Sequence, residues 1–203
     1  MNPVRVHLIA EGLLDEYVLR QLIVQTAPHL EGGVCYGKKG KAWLQDNLVK
    51  YNQAAQSWPY VVLGDLEQIE CSPTLLRLWF PSGVHPNIQP RIAVRMVESL
   101  LLADRETCAE FLKISVHHIP QRPDDEMDPK QVMVNLARRS RSKVIREDMV
   151  PAENTTSKVG KNYVGQLEKY VRERWKIAQA KLNSPSLLRA VRALEDFSPV
   201  LPY

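Results

Sequence analysis

The stretch VRVHLIAEGLLDEYVLRQLI, residues 4–23, decides how the chain is read. Val4 to Ala10 form an apolar, β-prone run of the kind buried on both faces in a parallel sheet. The run breaks at Glu11 and Gly12. Residues 14–27 then follow helical spacing, with Leu14, Val18 and Leu22 on one stripe and Leu19 and Ile23 beside it. The pattern is a strand, a tight turn and a helix. A buried strand that stops at a carboxylate often aims it at something, so Glu11 is the first candidate site residue.

The same pattern recurs further on. PYVVLGDLEQ, residues 59–68, is an apolar strand followed by Gly64 and the acids Asp65 and Glu67. Between the two lie a short predicted strand at Gly33 to Tyr36, the loop GKKGK at 37–41 and a helix from about Ala42 to Gln56. Pro73 to Phe80 reads as a short helix and Arg91 to Arg95 as a further strand. VESLLLAD at 97–104 has little polar face and reads as a largely buried helix. Thr107 with Glu110 suggests a capping box for a helix through Leu112, and Val116 to Ile119 a last short strand. In the loop PQRPDDEMDP, Asp128 and Pro129 form an N-cap and first-turn pair, and Ser184 with Pro185 repeats that signal before a stripe of Leu187, Leu188, Val191 and Leu194. Alternating strands and helices imply an α/β protein with a mainly parallel sheet in residues 1–119, followed by a helical extension over 129–203.

The chain has 203 residues, 44% of them apolar, which suits one domain or a core with a sizeable appendage. No window approaches the roughly 18 consecutive apolar residues of a membrane span. Residues 1–10 lack the basic start and long apolar centre of a secretory signal. A cytoplasmic protein without a membrane partner is expected. Cys35, Cys71 and Cys108 are odd in number and far apart, which points to free thiols rather than a disulfide framework or a structural zinc site. Asn154-Thr155-Thr156 matches a glycosylation sequon that has no consequence without a secretory signal. Charge is unevenly spread: residues 130–192 hold 15 Lys and Arg against 5 Asp and Glu, whereas the rest holds 12 against 18. An acidic body with a basic C-terminal portion suits a carboxylate-bearing region beside a polyanion-facing surface, or a solvated helical face.

In an open parallel sheet, loops at the carboxyl ends of adjacent strands converge on one crevice. Glu11, Asp65 and Glu67 can therefore meet although far apart in the chain. Clustered carboxylates repel and have raised pKa values unless a divalent cation neutralises them, and hard oxygen ligands with open water positions suit Mg²⁺ or Mn²⁺. Such a site favours phosphate chemistry. Each acid alone also has a structural reading: Glu11 favours the N-terminus of the next helix, and Asp65 caps a turn. The joint pattern is the stronger signal, with Gly12 removing side-chain bulk where a ligand approaches.

AEGLLDEYVLRQLI followed by VVLGDLEQ resembles the Toprim domain of topoisomerases, bacterial primases and OLD-type nucleases, over roughly residues 4–115. The resemblance implies a Rossmann-like parallel sheet, to which the pattern of elements adds the helical C-terminal extension. It maps the glutamate after the first strand onto Glu11 and a DxD-like acidic element onto Asp65 and Glu67. Glu67 stands where the usual motif has a second aspartate, which keeps the charge and lengthens the reach. RMVESLLLADRE looks like the matching segment of small Toprim-like proteins often encoded beside ABC/SMC-type ATPases in bacterial defence loci. In those proteins the residues matching Glu98 and Asp104 recur as candidate site residues. A buried helical carboxylate is costly unless paired or metal-bound, so Glu98 is either a ligand or the partner of a core-edge arginine such as Arg95. Asp104, six positions on, does not share its helix face. The chain lacks room for a topoisomerase's tyrosine-bearing domain and lacks a primase's cysteine-rich zinc element, which leaves a nuclease-type role.

GKKGKAW, residues 37–43, lacks the GxxxxGK[ST] spacing of a phosphate loop, so ATP hydrolysis by this chain is not expected. Lys38, Lys39 and Lys41 are candidates for nucleic-acid backbone contacts or for a solvated loop. Arg138, Arg139, Arg141 and Lys143 in ARRSRSKVIR, with Lys158 and Lys161, are better candidates because they cluster, and they equally suit an acidic protein partner. His117 and His118 read as ordinary packing and exposure, since neighbours on a strand face opposite ways. The expectation is a Mg²⁺- or Mn²⁺-dependent phosphodiesterase acting on DNA or RNA, the effector subunit of an ATPase-controlled antiphage system. Glu11, Asp65 and Glu67 are its catalytic metal ligands and Glu98 a further ligand. The alternatives are a catalytically degenerate module that binds a partner ATPase or nucleic acid, and a phosphotransfer domain. The last is disfavoured because the second element is DLE rather than a lone phospho-accepting aspartate.

Overall fold

The computed structural model describes residues 2–200. Met1 and residues 201–203 of the predicted extension lie outside the described residues. Strands β1 (Val4–Ala10), β2 (Leu30–Gly37), β3 (Tyr60–Asp65) and β4 (Ile88–Ala93) pair in parallel in the order β2-β1-β3-β4. Helices α1 (Leu13–Thr26), α2 (Lys41–Ala54) and α3 (Ser72–Trp79) supply the three crossovers. The fold is Rossmann-like α/β with a helical C-terminal region. Because β2 lies on one side of β1 and β3 on the other, the chain reverses its winding between the C-terminal ends of β1 and β3.

Strand side chains alternate between two cores. Val6, Leu8, Val61, Leu63 and Ala93 face α1 and the C-terminal helices, whereas Ile9, Val62 and Ile88 face α2 and α3. The expected α1 stripe of Leu14, Val18, Leu19, Leu22 and Ile23 is buried in the first core. Full burial of one such side chain contributes about 1.5–3 kcal/mol. After β4 come α4 (Val97–Leu102), α5 (Arg105–Leu112), α6 (Pro129–Arg138), α7 (Lys143–Met149), α8 (Tyr163–Glu173), α9 (Ile177–Asn183) and α10 (Pro185–Glu195). Met133, Leu167, Tyr170, Leu187 and Val191 of these helices belong to the same core as β1 and β3. The change of charge near residue 129 is thus a boundary of composition across which packing is continuous.

The two N-cap signals take their expected form. Asp128 accepts from the Gln131 N–H at 2.9 Å, and Ser184 Oγ accepts from the Leu187 N–H at 3.1 Å, each followed by proline in the first turn. Four local expectations change. Val116–His118 form a single 3₁₀ turn rather than a strand, because the segment before Pro120 is short and its amides close on local carbonyls: His118 N–H donates to Ser115 O at 3.1 Å and Ile119 N–H to Val116 O at 3.0 Å. The two histidines accordingly sit on a turn. Helix α5 starts at Arg105, so Thr107 lies inside its first turn instead of capping it. The second and fourth strands each begin three residues earlier than expected, at Leu30 and Ile88.

One edge of the sheet is partly sealed. The β1–β2 register slips between Val6 and Leu8, and Arg20 of α1 donates to both Gly32 O (3.3 Å) and Gly33 O (3.1 Å) at that bulge. Gly37 ends β2 at φ +95°, where a Cβ would lie 2.4 Å from Ala10 O. Among the described residues no helix is long and apolar enough to cross a membrane.

Candidate acidic site at the strand ends

The winding reversal places Glu11, directly after β1, beside Asp65, the last residue of β3. Two further carboxylates join them. Asp15, in the first turn of α1, is buried, and Glu98, in the first turn of α4, is 1% exposed. Sequence reading put Glu98 in the second rank and missed Asp15. Its signal was present: Asp15, Val18, Leu19 and Leu22 lie at i, i+3, i+4 and i+7, so the carboxylate opens a buried stripe.

Local hydrogen bonds orient these groups. The Gly12 N–H donates to Asp15 Oδ2 at 3.0 Å, and the Val97 N–H donates to Asp65 Oδ1 at 2.9 Å. Gly12 has an extended backbone at φ −137°, and a Cβ there would stand 3.0 Å from Asp15 Oδ2. Its smallness thus clears the Asp15 cap, which is the local reason for the glycine. Asp15 Oδ1 and Glu98 Oε2 are buried without a hydrogen-bond partner among the described residues.

A cation also enters the cluster, from the helical region. Lys130 Nζ in the first turn of α6 lies 3.7 Å from Glu98 Oε1, which also accepts from Tyr163 Oη of α8 at 3.1 Å. Glu98 is therefore paired with Lys130 and not with Arg95, whose guanidinium donates to Glu67 O (2.7 Å) and Ile69 O (3.2 Å). Lys130 shows the same signature as Asp15, a charged residue opening the stripe Met133, Val134 and Ala137.

Burial and mutual repulsion set the ionisation of the cluster. Burial pushes Asp15 up to about 7, with Glu11 and Glu98 adding to the rise. Burial also raises Asp65, which keeps some exposed surface at the strand end, and Asp15, Glu98 and Glu11 push it further while Lys130 opposes them. Glu98 is raised by burial against the pull of Lys130, and Glu11 by burial and the nearby Glu67. Burial works to lower Lys130, but the combined field of Glu98, Asp65, Asp15 and Glu11 holds it above its ordinary value. One ammonium thus faces four interacting carboxyl groups.

Glu67 stands at the margin. It adopts φ +48°, and its carboxylate is bound by Lys41, the first residue of α2. Asp104 points elsewhere: its Oδ2 accepts from the Lys176 N–H at 2.8 Å, fastening the turn before α9. Among the basic candidates, Lys38 pairs with Glu16 at 2.9 Å, Lys143 with Glu147 at 3.7 Å, and Arg139 lies 3.5 Å from His118 Nδ1. Lys39, Arg138, Arg141, Lys158 and Lys161 are exposed without an ion pair among the described residues. Arg138 and Lys161 line a groove of about 1000 Å³ together with Arg146, Glu147 and Glu153.

The donor set fits a hard divalent cation in chemistry: all oxygen, strongly negative, and including two unpartnered carboxylate oxygens. Among the described residues no three acidic, imidazole or thiol groups stand at coordinating spacing. Fold and site together define a Rossmann-like α/β protein with an acidic cluster at its winding reversal. Compared with known proteins, the chain matches no family model, no curated protein and no solved structure.

Proposed function

We propose that the protein is a Toprim-like, Mg²⁺- or Mn²⁺-dependent nuclease that hydrolyses phosphodiester bonds of DNA or RNA. The observation that carries this reading is the meeting of Glu11, Asp15, Asp65 and Glu98 at the winding reversal, with Lys130 set against all four. A divalent cation held by these carboxylates would supply Lewis acidity towards a phosphoryl oxygen and lower the pKa of bound water. Glu11, the carboxylate whose pKa is raised at the open end of β1, is suited to exchange a proton with the attacking water or the leaving oxygen. Lys130 supplies an ammonium to the negative charge on the phosphate being cleaved. Asp65 is oriented by the Val97 N–H, and Asp15 by the Gly12 N–H, so both are held by backbone rather than by mobile side chains.

The basic residues Arg138, Arg141, Lys158 and Lys161 would bind the nucleic-acid backbone. The resemblance to small Toprim-like proteins encoded beside ABC/SMC-type ATPases supports a role as the effector subunit of an ATPase-controlled antiphage system. One observation favours a second reading, a catalytically degenerate module that binds a partner ATPase or nucleic acid: Lys130 already offers a counter-charge inside the acidic cluster. Cleavage of labelled plasmid DNA, single-stranded DNA and tRNA with Mg²⁺ or Mn²⁺ separates the two, comparing wild type with Glu11→Ala, alone and with the ATPase encoded beside it. Metal-dependent cleavage lost in the variant supports the nuclease. Absence of cleavage in every condition, with partner binding intact, supports the module.

A further inference from the structure

At the sheet edge opposite β2, strand β4 carries a guanidinium that no acid answers among the described residues. Arg91 Nη2 donates to Gln89 Oε1 at 2.9 Å, while its Nε is buried without a partner. No Asp or Glu among the described residues forms an ion pair with it. Burial lowers its pKa to about 10, well within the range where it stays charged at neutral pH. Arg91 as a whole is half-buried, and a partly desolvated charge is favoured by a counter-charge, which here can come from a ligand.

The cavity beside it has the size and donors for that partner. Arg91 opens on a cleft of about 170 Å³ between α3 and α10, which Arg189, Ser72 and Ser186 also line. Pro90 and Ile92 form part of its wall. Arg189 is exposed and likewise makes no ion pair among the described residues. Asp124, which reaches the cleft-lining Ser186, is already engaged: its Oδ2 accepts from the Ser186 N–H at 2.9 Å and its Oδ1 from Ser184 Oγ at 2.7 Å, satisfying the start of α10. The cleft's own charge therefore comes from its two arginines. Its volume equals nearly six waters at roughly 30 Å³ each, enough for a tetrahedral oxyanion. Two guanidinium groups match a doubly charged anion, and their planar forks suit phosphate oxygens.

We propose that the Arg91–Arg189 cleft binds a phosphate group, belonging to a free nucleotide or to a nucleic-acid backbone, whose remainder lies outside the cleft. The site is separate from the carboxylate cluster and does not depend on the nuclease reading. The test is thermal unfolding of the full chain against inorganic phosphate, with chloride holding ionic strength constant. Phosphate is expected to raise the wild-type Tm saturably. Arg91→Met, which removes the unanswered charge at similar volume, is expected to melt higher than wild type without phosphate and to lose the response. Arg189→Gln, an exposed change that leaves the fold alone, is expected to weaken the phosphate midpoint at least about fivefold. Glu11→Gln is expected to respond like wild type.

The source of the phosphate follows from competition. A mononucleotide 5′-phosphate that shifts the phosphate midpoint identifies a free nucleotide, whereas displacement only by a short single-stranded or duplex oligonucleotide identifies a backbone. A wild-type Tm indifferent to phosphate overturns the site. So does an equal phosphate response in wild type, Arg91→Met and Arg189→Gln, and phosphate binding that neither nucleotide nor oligonucleotide displaces overturns the assignment of the ligand.

Discussion

The acidic cluster and the Arg91 cleft are mirror images in charge and differ in how the fold has answered them. At the strand ends of β1 and β3, four carboxyl groups meet one lysine, and backbone amides at Gly12 and Val97 hold two of them in place. At β4, two arginines line a small cleft without an ion pair among the described residues, and a glutamine amide oxygen accepts from Arg91. The cluster can relieve its excess by taking up protons, because burial and mutual repulsion raise its carboxyl pKa values, that of Asp15 to about 7. A guanidinium has no such exit at physiological pH. The lesson is that the acidic site is adjustable and the basic cleft is not, so the first is suited to chemistry and the second to holding.

The largest effect that can break this comparison is on activity. Glu11→Ala or Asp65→Asn is expected to lower metal-dependent cleavage by about 10²–10⁴-fold while far-UV circular dichroism stays unchanged. Full cleavage in either variant would remove the acids from the reaction.

Next comes pH. The folded-state pKa of Asp15, about 7, lies above its ordinary 3.8, so the folded protein binds the extra proton and stability is lost as pH rises from about 4 through 7. In chelator, Asp15→Asn is therefore expected to be more stable than wild type at pH 8, by on the order of 4 kcal/mol, and equal to it near pH 4. The asparagine keeps an oxygen for the Gly12 N–H, so the cap survives. Denaturant unfolding at the two pH values measures the difference, and an equal gap at both would refute the coupled cluster.

A comparable loss is expected when the cation is removed. Lys130→Met leaves the buried Glu98 without its counter-charge and should cost about 3 kcal/mol, which the double change with Glu98→Gln should largely restore. Additive losses in that cycle would show that the two side chains act independently. The smallest effect belongs to the surface. Single alanine changes at Arg138, Lys158 or Lys161 should leave stability within about 0.5 kcal/mol. Each should flatten the salt dependence of nucleic-acid binding by about one unit of slope.

Much of the architecture was legible because it rests on local physics. The run Val4 to Ala10, the stripe from Leu14 to Ile23, and the Asp-Pro and Ser-Pro starts of α6 and α10 each declare their element within a few residues. Glu11 and Asp65 were legible as strand-end acids, since the convergence of parallel strand ends is a general rule. The segment Val116–His118 misled because three apolar and aromatic residues carry no period.

By itself the sequence determined the α/β order of elements, the helical C-terminal region and the acids that follow β1 and β3. Only the tertiary structure decided which charges meet. Asp15 and Lys130 lie more than a hundred residues apart, and nothing local says that the stripes they open pack onto the same end of one sheet. Glu67 turned to Lys41, Glu98 to Lys130 and Asp104 to the Lys176 amide for the same reason. Backbone periodicity is a property of neighbours in the chain, whereas the pairing and pKa of a buried charge depend on neighbours in space.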